Sequence, residues 1–273
     1  MTDTMTANQP AFSGDTTAKK GIPGSTLKLI AIIAMFIDHT GAVILERLLI
    51  SKGIMALNGA SVENSLEFIQ NNGVLFFTYL IFRLIGRLGF PIFCFLLIEG
   101  FIHTRNVWKY AFRLLLFAFI SEVPFDLAFK GFVFYADYQN VFFTLFLGLC
   151  ALICIKFIED KVTANNWLRY LLIIPVTIVF IIIANLLMTD YAGTGVLTIV
   201  IMYILRKNRV LEMAAGCVVL TIMSFMEVTA LFNMIPVAKY NGERGLNLKY
   251  VFYAFYPVHL LVLYLIAYFI GIV

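Results

Sequence analysis

Read for its alternation of apolar and polar positions, the chain is a succession of long apolar runs with short polar punctuation. The runs lie near residues 27–46, 74–102, 108–129, 140–158, 167–188, 194–205, 210–230 and 250–272. A helix of about 20 apolar residues crosses a hydrocarbon core about 30 Å thick, so the pattern predicts an all-α polytopic bundle of about eight transmembrane helices. The second run is too long for one straight crossing and is interrupted by Gly86, Gly89 and Pro91, which predicts a kink or an interfacial start. The sixth is short, which predicts a broken helix or one buried among others. Residues 1–26, rich in Thr, Gly, Ala and Lys and without periodicity, read as a flexible cytoplasmic tail. Residues 27–273 then form a single transmembrane domain, whose first apolar run shows no signal-peptide cleavage pattern.

Composition narrows the class. With 62% hydrophobic and 13% charged residues and a mean hydropathy of +0.93, the chain is too apolar for a soluble domain, whose charged share is about 25%. The net charge of +4 resides largely in loops, which fits membrane orientation and not nucleic-acid binding. With the N-terminus inside, one side collects Lys19, Lys20, Lys28, Arg105, Lys109, Arg113, Lys156, Lys161, Arg169, Arg206, Lys207 and Arg209. The other holds Arg47, Lys52, Lys130, Lys239, Arg244 and Lys249. Both termini are therefore expected on the cytoplasmic side of the inner membrane. Cys94, Cys150, Cys154 and Cys217 fall inside apolar runs and read as buried thiols without a disulfide framework. Cys150 and Cys154 share a helix face, but with no nearby His or third thiol no metal site is expected.

Several ionisable residues interrupt the apolar runs. LKLIAIIAMFIDHTGAVIL, from Leu27 to Leu45, carries Asp38 and His39 side by side. Asp38 lies roughly 17 Å beyond Leu27 along a helix, near the bilayer midplane, where ionisable groups are costly and mark functional sites by default. His259, nine residues past Tyr250, falls about 14 Å down the last helix. Arg83 and Arg87 share a helix face, as do Glu122 and Asp126. These two pairs are expected to meet across a helix interface, because isolated charges in an apolar interior neutralise or disrupt the helix. Glu46, seven residues past His39, extends its stripe outward, while Asp190 and Glu227 fall near the outer ends of their helices. Together these groups outline a polar cavity.

Structural roles stand beside functional ones. An intramembrane Arg and carboxylate pair also holds helices in register, and His259, which follows Pro257, also reads as a hydrogen bond between helices. Glu99 and His103, one turn apart at the inner end of the second run, read equally as an interfacial pair or a substrate contact. Asp38 and His39, with Gly41 allowing close approach nearby, are read as functional. On the inner face, HTRNVWKYAFR supplies His103, Arg105, Lys109 and Arg113 with Trp108 among them. Basic groups at a helix N-terminus bind phosphates of a cytoplasmic cofactor, although a short basic loop with an aromatic anchor is also ordinary there.

LKLIAIIAMFIDHTGA, RLIGRLGFPIFCFLLIEGFIHTRN from Arg83, RLLLFAFISEVPFDLAF from Arg113, NVFFTLFLGL from Asn140, DYAGTGVL from Asp190 and YNGERGLNLKYVFYAFYPVHLL from Tyr240 are blocks in which the sequence resembles the TraX family. They occur in order over nearly the whole chain after the tail, while the polar segment Leu48 to Gly73 matches no family pattern. The resemblance implies an integral membrane acetyltransferase with acetyl-CoA, or another acyl-CoA, as donor. Its acceptor would be a membrane-associated peptide, lipid or glycan, by analogy with the N-terminal amine of pilin subunits. The matching positions are Asp38, His39, Arg83, Arg87, Glu99, His103, Glu122, Asp126, Asp190, Glu243, Arg244 and His259.

Acyl transfer needs a base for the acceptor proton and donors for the tetrahedral oxyanion. His39 is the expected base, since an imidazole with a pKa of about 6.5 accepts a proton at working pH. Asp38 would orient it or a neighbouring helix, although adjacent helical residues point about 100° apart. Arg83, Arg87 or His259 would supply oxyanion or cofactor contacts. Two other classes fit the same residues: a proton-coupled transporter, for which broken helices are suited although no internal repeat relates the halves, and a non-enzymatic assembly factor for a surface polymer or pilus.

Overall fold

The computed structural model describes residues 20–57, 61–163, 166–247 and 249–273; most of the expected tail, residues 1–19, lies outside them. Helix α1 runs from Gly24 to Ser51 and contains a π turn at Gly41–Leu45. It starts three residues before the expected boundary. After a 3-10 turn at Ile54–Leu57 come α2 (Val62–Gly86), α3 (Gly89–His103), α4 (Val107–Lys130), α5 (Val141–Lys161) and α6 (Asn166–Leu186). Then follow α7 (Ala192–Leu205), α8 (Arg209–Met223), a 3-10 segment (Phe225–Asn233) leading into α9 (Met234–Ala238), and α10 (Lys249–Phe269). Polar residues set the starts. The side chains of Ser61, Asn106, Asn140 and Asn208 accept from backbone N–H groups of α2, α4, α5 and α8, satisfying donors that a helix terminus leaves open.

Among the described residues, five helical runs are long and apolar enough to cross a membrane: α1, the Val62–His103 run formed by α2 and α3, α5, α6 and α10. Helix α4 carries Lys109, Arg113, Glu122 and Asp126, while Ala192–Leu205 and Phe225–Ala238 are apolar but shorter. The eight expected crossings thus become five full-length helices plus a more polar one and short elements. Aliphatic stripes point outward, with Ile174, Ile178 and Ile182 on α6 and Val258, Leu261, Val262 and Leu265 on α10 all exposed. Such contiguous apolar surface belongs against lipid. Cys94 and Cys217 are buried as expected, but Cys154 is exposed on α5, and all four thiols are free.

The break between α2 and α3 falls at Arg87 and Leu88, where Leu88 N–H turns back to the Ile85 carbonyl. That leaves the Leu84 carbonyl without its usual helical partner, and Thr229 Oγ1 donates to it at 2.8 Å. Asn233 Nδ2 likewise donates to the Leu88 carbonyl at 3.0 Å. The Phe225–Asn233 segment therefore satisfies the backbone that the break exposes, as irregular structure at membrane depth requires. Two further turns reach inward from the same end. Asn140 Nδ2 donates to the Ala118 carbonyl midway along α4, and Asp190 N–H donates to Gln139 O.

The ends of the bundle follow from paired contacts. Glu243 and Arg244 carbonyls accept from Gly24 and Ser25 at the start of α1, and Lys28 lies over the Phe252 ring at the start of α10. Helices α1 and α10 thus set out from one end. Val273, by contrast, sits against Gly131, the cap at the far end of α4. Gly24 and Val273 therefore lie at opposite ends of the bundle, whereas the expectation put both ends of the chain on one side; the N-terminus itself lies outside the described residues. The sequence count failed because Phe225–Ala238 returns the chain to its starting end. Lys239 and Arg244 move with it, leaving Arg47, Lys52 and Lys130 as the basic residues toward the far end among the described residues. The two tryptophans, Trp108 and Trp167, are exposed at the starts of α4 and α6, at the basic end, where a membrane interface belongs.

Close approach of α1 to α2 depends on Gly86, because a Cβ there would overlap the Asp38 side chain. Gly86→Ala is expected to lower stability by about 1–3 kcal/mol, the usual cost of overpacking. Gly73→Ala, whose Cβ meets only ordinary contacts at 3.9 Å, is expected to be neutral or slightly stabilising. Thermal unfolding of both variants in detergent, compared with wild type, checks the contrast.

Candidate functional site

Asp38 and His39 leave α1 in different directions and meet different helices. Asp38 Oδ1 accepts from Arg83 Nη1 at 2.9 Å and from Arg87 Nη2 at 2.7 Å. Arg87 also donates through Nη1 to Glu227 Oε1 at 2.9 Å and through Nε to the Arg83 carbonyl at 3.0 Å. Two guanidinium groups and two carboxylates thus form one formally neutral network around the break. Every charge in it has an opposite partner, which is the condition for keeping charges in an apolar interior.

His39 faces the last helix. Its Nδ1 lies 2.7 Å from His259 Nε2, with the two rings nearly coplanar and edge to edge, 5.0 Å between centroids and 6° between planes. His259 Nδ1 donates to the Phe255 carbonyl at 2.7 Å. Pro257 lies in this turn; it has no N–H to donate and loosens the local helix. Aromatic rings enclose the pair: Phe129 and Tyr256 stand edge-on to His39 at 5.4 and 5.9 Å, and Phe255 stacks on His259 at 4.7 Å.

The π turn explains where Glu46 goes. A π turn inserts one extra residue into the helical register, so Glu46 leaves the His39 stripe and falls in line with Asp38. Both face α2, where Tyr79 donates to Glu46 Oε2 at 3.4 Å. The expected pairing of Arg83 and Arg87 with Glu122 and Asp126 does not occur. Glu122 accepts from the Asn140 side chain, and Asp126 accepts from the Tyr135 N–H at 2.7 Å. The reason is the packing order: α2 lies against α1 and the Phe225–Asn233 segment, whereas α4 lies against α5 and α10. Asp190 Oδ1 accepts from the Tyr138 hydroxyl at 2.9 Å and from the Tyr191 N–H. Asp190 therefore sits in the turn between the end of α6 and the start of α7, and Glu227 just past the end of α8, beside the break, both near helix ends as expected.

A cavity of about 650 Å³ opens at the basic end. Its mouth includes Lys28, His103, Arg105, Lys109, Arg113 and Arg244, and its depth reaches Met35, Phe142, Leu145 and Tyr256. All four residues expected to contact a phosphate-bearing cofactor line it. Arg113 Nε is buried there without a hydrogen-bond partner. Glu99 also lines the cavity and accepts from the Tyr240 hydroxyl at 3.1 Å; burial first, and then the neighbouring Glu99 carboxylate, push the pKa of the Tyr240 hydroxyl up to about 12. His103 bonds the Glu99 carbonyl, not its carboxylate. Glu243 is exposed and outside the cavity lining; its carbonyl holds the start of α1. Tyr256 joins the two halves of the site, since it both lines the cavity and touches His39. Sequence reasoning passed over it among the many aromatics, although its spacing of three from His259 puts both on one helix face.

A family model described as TraX protein matches residues 23–267, a span that includes the polar segment Leu48 to Gly73. The chain is 27% identical over 263 residues to the probable fimbrial assembly protein FimC, serogroup H1, of Dichelobacter nodosus, covering 87% of this chain and 92% of that protein. No solved structure matches.

Arg87 is the shared partner of both carboxylates in the network. Arg87→Ala is expected to cost about 3–5 kcal/mol, the range for breaking a buried pair. The more exposed Arg83, which makes a single ion pair, should cost distinctly less when replaced. Denaturation midpoints in a fixed detergent rank the two.

Proposed function

The chain belongs to the TraX family, and we propose that it is an integral membrane acyltransferase that moves an acetyl or other acyl group from acyl-CoA to an amine or hydroxyl of a membrane-associated acceptor. The observation that carries this reading is the cavity. It offers cations and a buried, unpartnered Arg113 Nε at its mouth, suited to phosphates, and an apolar interior leading to the aromatic ring beside His39. By the positive-inside rule the basic end faces the cytoplasm, where acyl-CoA is found. The N-terminus then lies inside and the C-terminus outside, and α4 with the short elements completes the partial crossings.

In this mechanism Lys109, Arg113 and Arg105 hold the donor's phosphates, and Tyr256 borders the thioester end. His39 removes a proton from the acceptor amine as its nitrogen attacks the thioester carbonyl. The C–N bond forms, the C–S bond breaks, and the proton leaves with the thiolate as a thiol. The arginine network, partly open at Arg83, is suited to the charge that develops on the carbonyl oxygen. The relative's name, fimbrial assembly protein, favours a fimbrial or pilus subunit as acceptor, a lipid or glycan being the other candidates. It also favours the second reading, a non-enzymatic assembly factor.

Purified protein in nanodiscs, given labelled acetyl-CoA and host membranes, is expected to transfer label to one acceptor identified by mass spectrometry. His39→Ala should lower kcat by on the order of 100-fold or more. Lys109→Ala and Arg113→Ala should instead raise KM for acetyl-CoA by about tenfold, since they remove binding common to ground and transition states. Assembly that persists in folded His39→Ala protein, with no label on any peptide, lipid or glycan, would establish the assembly-factor reading.

A further inference from the structure

The hydrogen bonds around the histidine pair determine more than proximity. A carbonyl oxygen only accepts, so the 2.7 Å contact between His259 Nδ1 and Phe255 O places a proton on Nδ1. In a neutral imidazole the other nitrogen is then bare, and His259 Nε2 must accept. Its partner, His39 Nδ1 at 2.7 Å, must donate. A neutral His39 with its proton on Nδ1 leaves Nε2 as the free base. The reverse arrangement, with His259 donating to His39, would set a bare Nδ1 lone pair against the Phe255 carbonyl and is repulsive.

We propose that His259 is a positioning residue that fixes the tautomer of His39, so that His39 Nε2 is the atom that takes the acceptor's proton. This rests on the acyltransferase reading for its chemistry, although the tautomer itself does not. The fold supplies what such a device needs. The two ring planes lie within 6° of each other with their nitrogens meeting edge to edge, so the shared hydrogen bond runs in both planes, Phe129 and Tyr256 fix the His39 ring from its edges, and His259 is buried against Phe36 and Phe255. As the acceptor nitrogen bonds to the thioester carbon, its proton passes to His39 Nε2. The imidazolium then forms with its Nδ1 proton already directed at His259 Nε2, and the proton is returned to the departing sulfur. Asp38 takes no part in the relay, being committed to Arg83 and Arg87.

The chain has three histidines, which makes the tautomers directly readable. In nanodisc-embedded protein labelled with nitrogen-15 in its histidine rings, with His103 assigned by difference from His103→Asn, the expected spectrum gives both His39 and His259 a protonated Nδ1 and a bare Nε2. His259→Leu should release His39 into a mixture of tautomers. It should also lower kcat by on the order of 100-fold, as loss of an orienting partner does, with KM for acetyl-CoA within about twofold. His259→Gln, whose amide oxygen accepts in the same place, should restore the single tautomer and much of kcat. A wild-type His39 protonated on Nε2 would overturn the proposal, as would a folded His259→Leu protein with unchanged His39 tautomer and kcat. Should the Leu variant not fold, the wild-type spectrum decides alone. Absence of any acyl transfer by wild-type protein would sink the acyltransferase reading while leaving the tautomer result standing.

Discussion

The Arg87 guanidinium, held between Asp38 and Glu227, is the interaction on which the rest of this bundle depends. A guanidinium in an apolar interior requires carboxylates to pair with it, and here they arrive from two separate elements, α1 and the Phe225–Asn233 segment. Helix Val62–His103 breaks at this residue, and the same segment that brings Glu227 also brings Thr229 and Asn233 to the carbonyls beside the break. Charge pairing and backbone satisfaction are thus met by one stretch of nine residues. Without it, both a buried positive charge and open carbonyls would remain at membrane depth, where no water replaces the missing partners.

The second organising feature is the π turn at Gly41–Leu45. By inserting one residue into α1 it lets the helix present carboxylates to α2 both below and above the turn, at Asp38 and Glu46, while His39 looks toward α10. Adjacent positions in the chain therefore serve separate tasks: Asp38 fixes helices around a break, and His39 joins an aromatic pocket with His259. The separation follows from helical geometry, since neighbours diverge by about 100°, and it leaves the imidazole pair free of a direct carboxylate partner.

Much of this was legible in the chain. Apolar runs marked the helices, the Gly86, Gly89 and Pro91 cluster marked the break, and depth arithmetic put His259 level with His39. Basic residues between the second and third runs also converged on one cavity as their shared location suggested. What could not be read was which helix stands beside which. Arg83 and Arg87 were matched to Glu122 and Asp126 on sign and depth alone, yet α1 occupies the space between α2 and α4, and a nearer carboxylate was at hand. The π turn left no mark in a sequence of ordinary helix formers, so Glu46 was assigned to the wrong stripe. The return of Phe225–Ala238 to the basic end was hidden because its 14 residues are too few for a crossing, and one missed reversal inverted every side assignment after it.

The cost of these groups bears on whether the bundle is a catalyst or a scaffold. Well-packed apolar residues in place of a buried ion network are often neutral or stabilising, and a histidine pair in an aromatic pocket costs desolvation that Leu or Phe would avoid. A protein whose task was only to hold other subunits in place would have no need of ionisable groups at Asp38, Arg83, Arg87, Glu227, His39 and His259 where a well-packed apolar set could replace them together. It would have equally little use for a cavity of about 650 Å³ with cations at its mouth and Tyr256, the ring beside His39, in its lining. Both features fit the proposed reading, in which the cavity admits a phosphorylated donor and the histidines act on it. The sequence departs from the most stable packing at the places where acyl transfer would need a channel, a base and fixed positive charge.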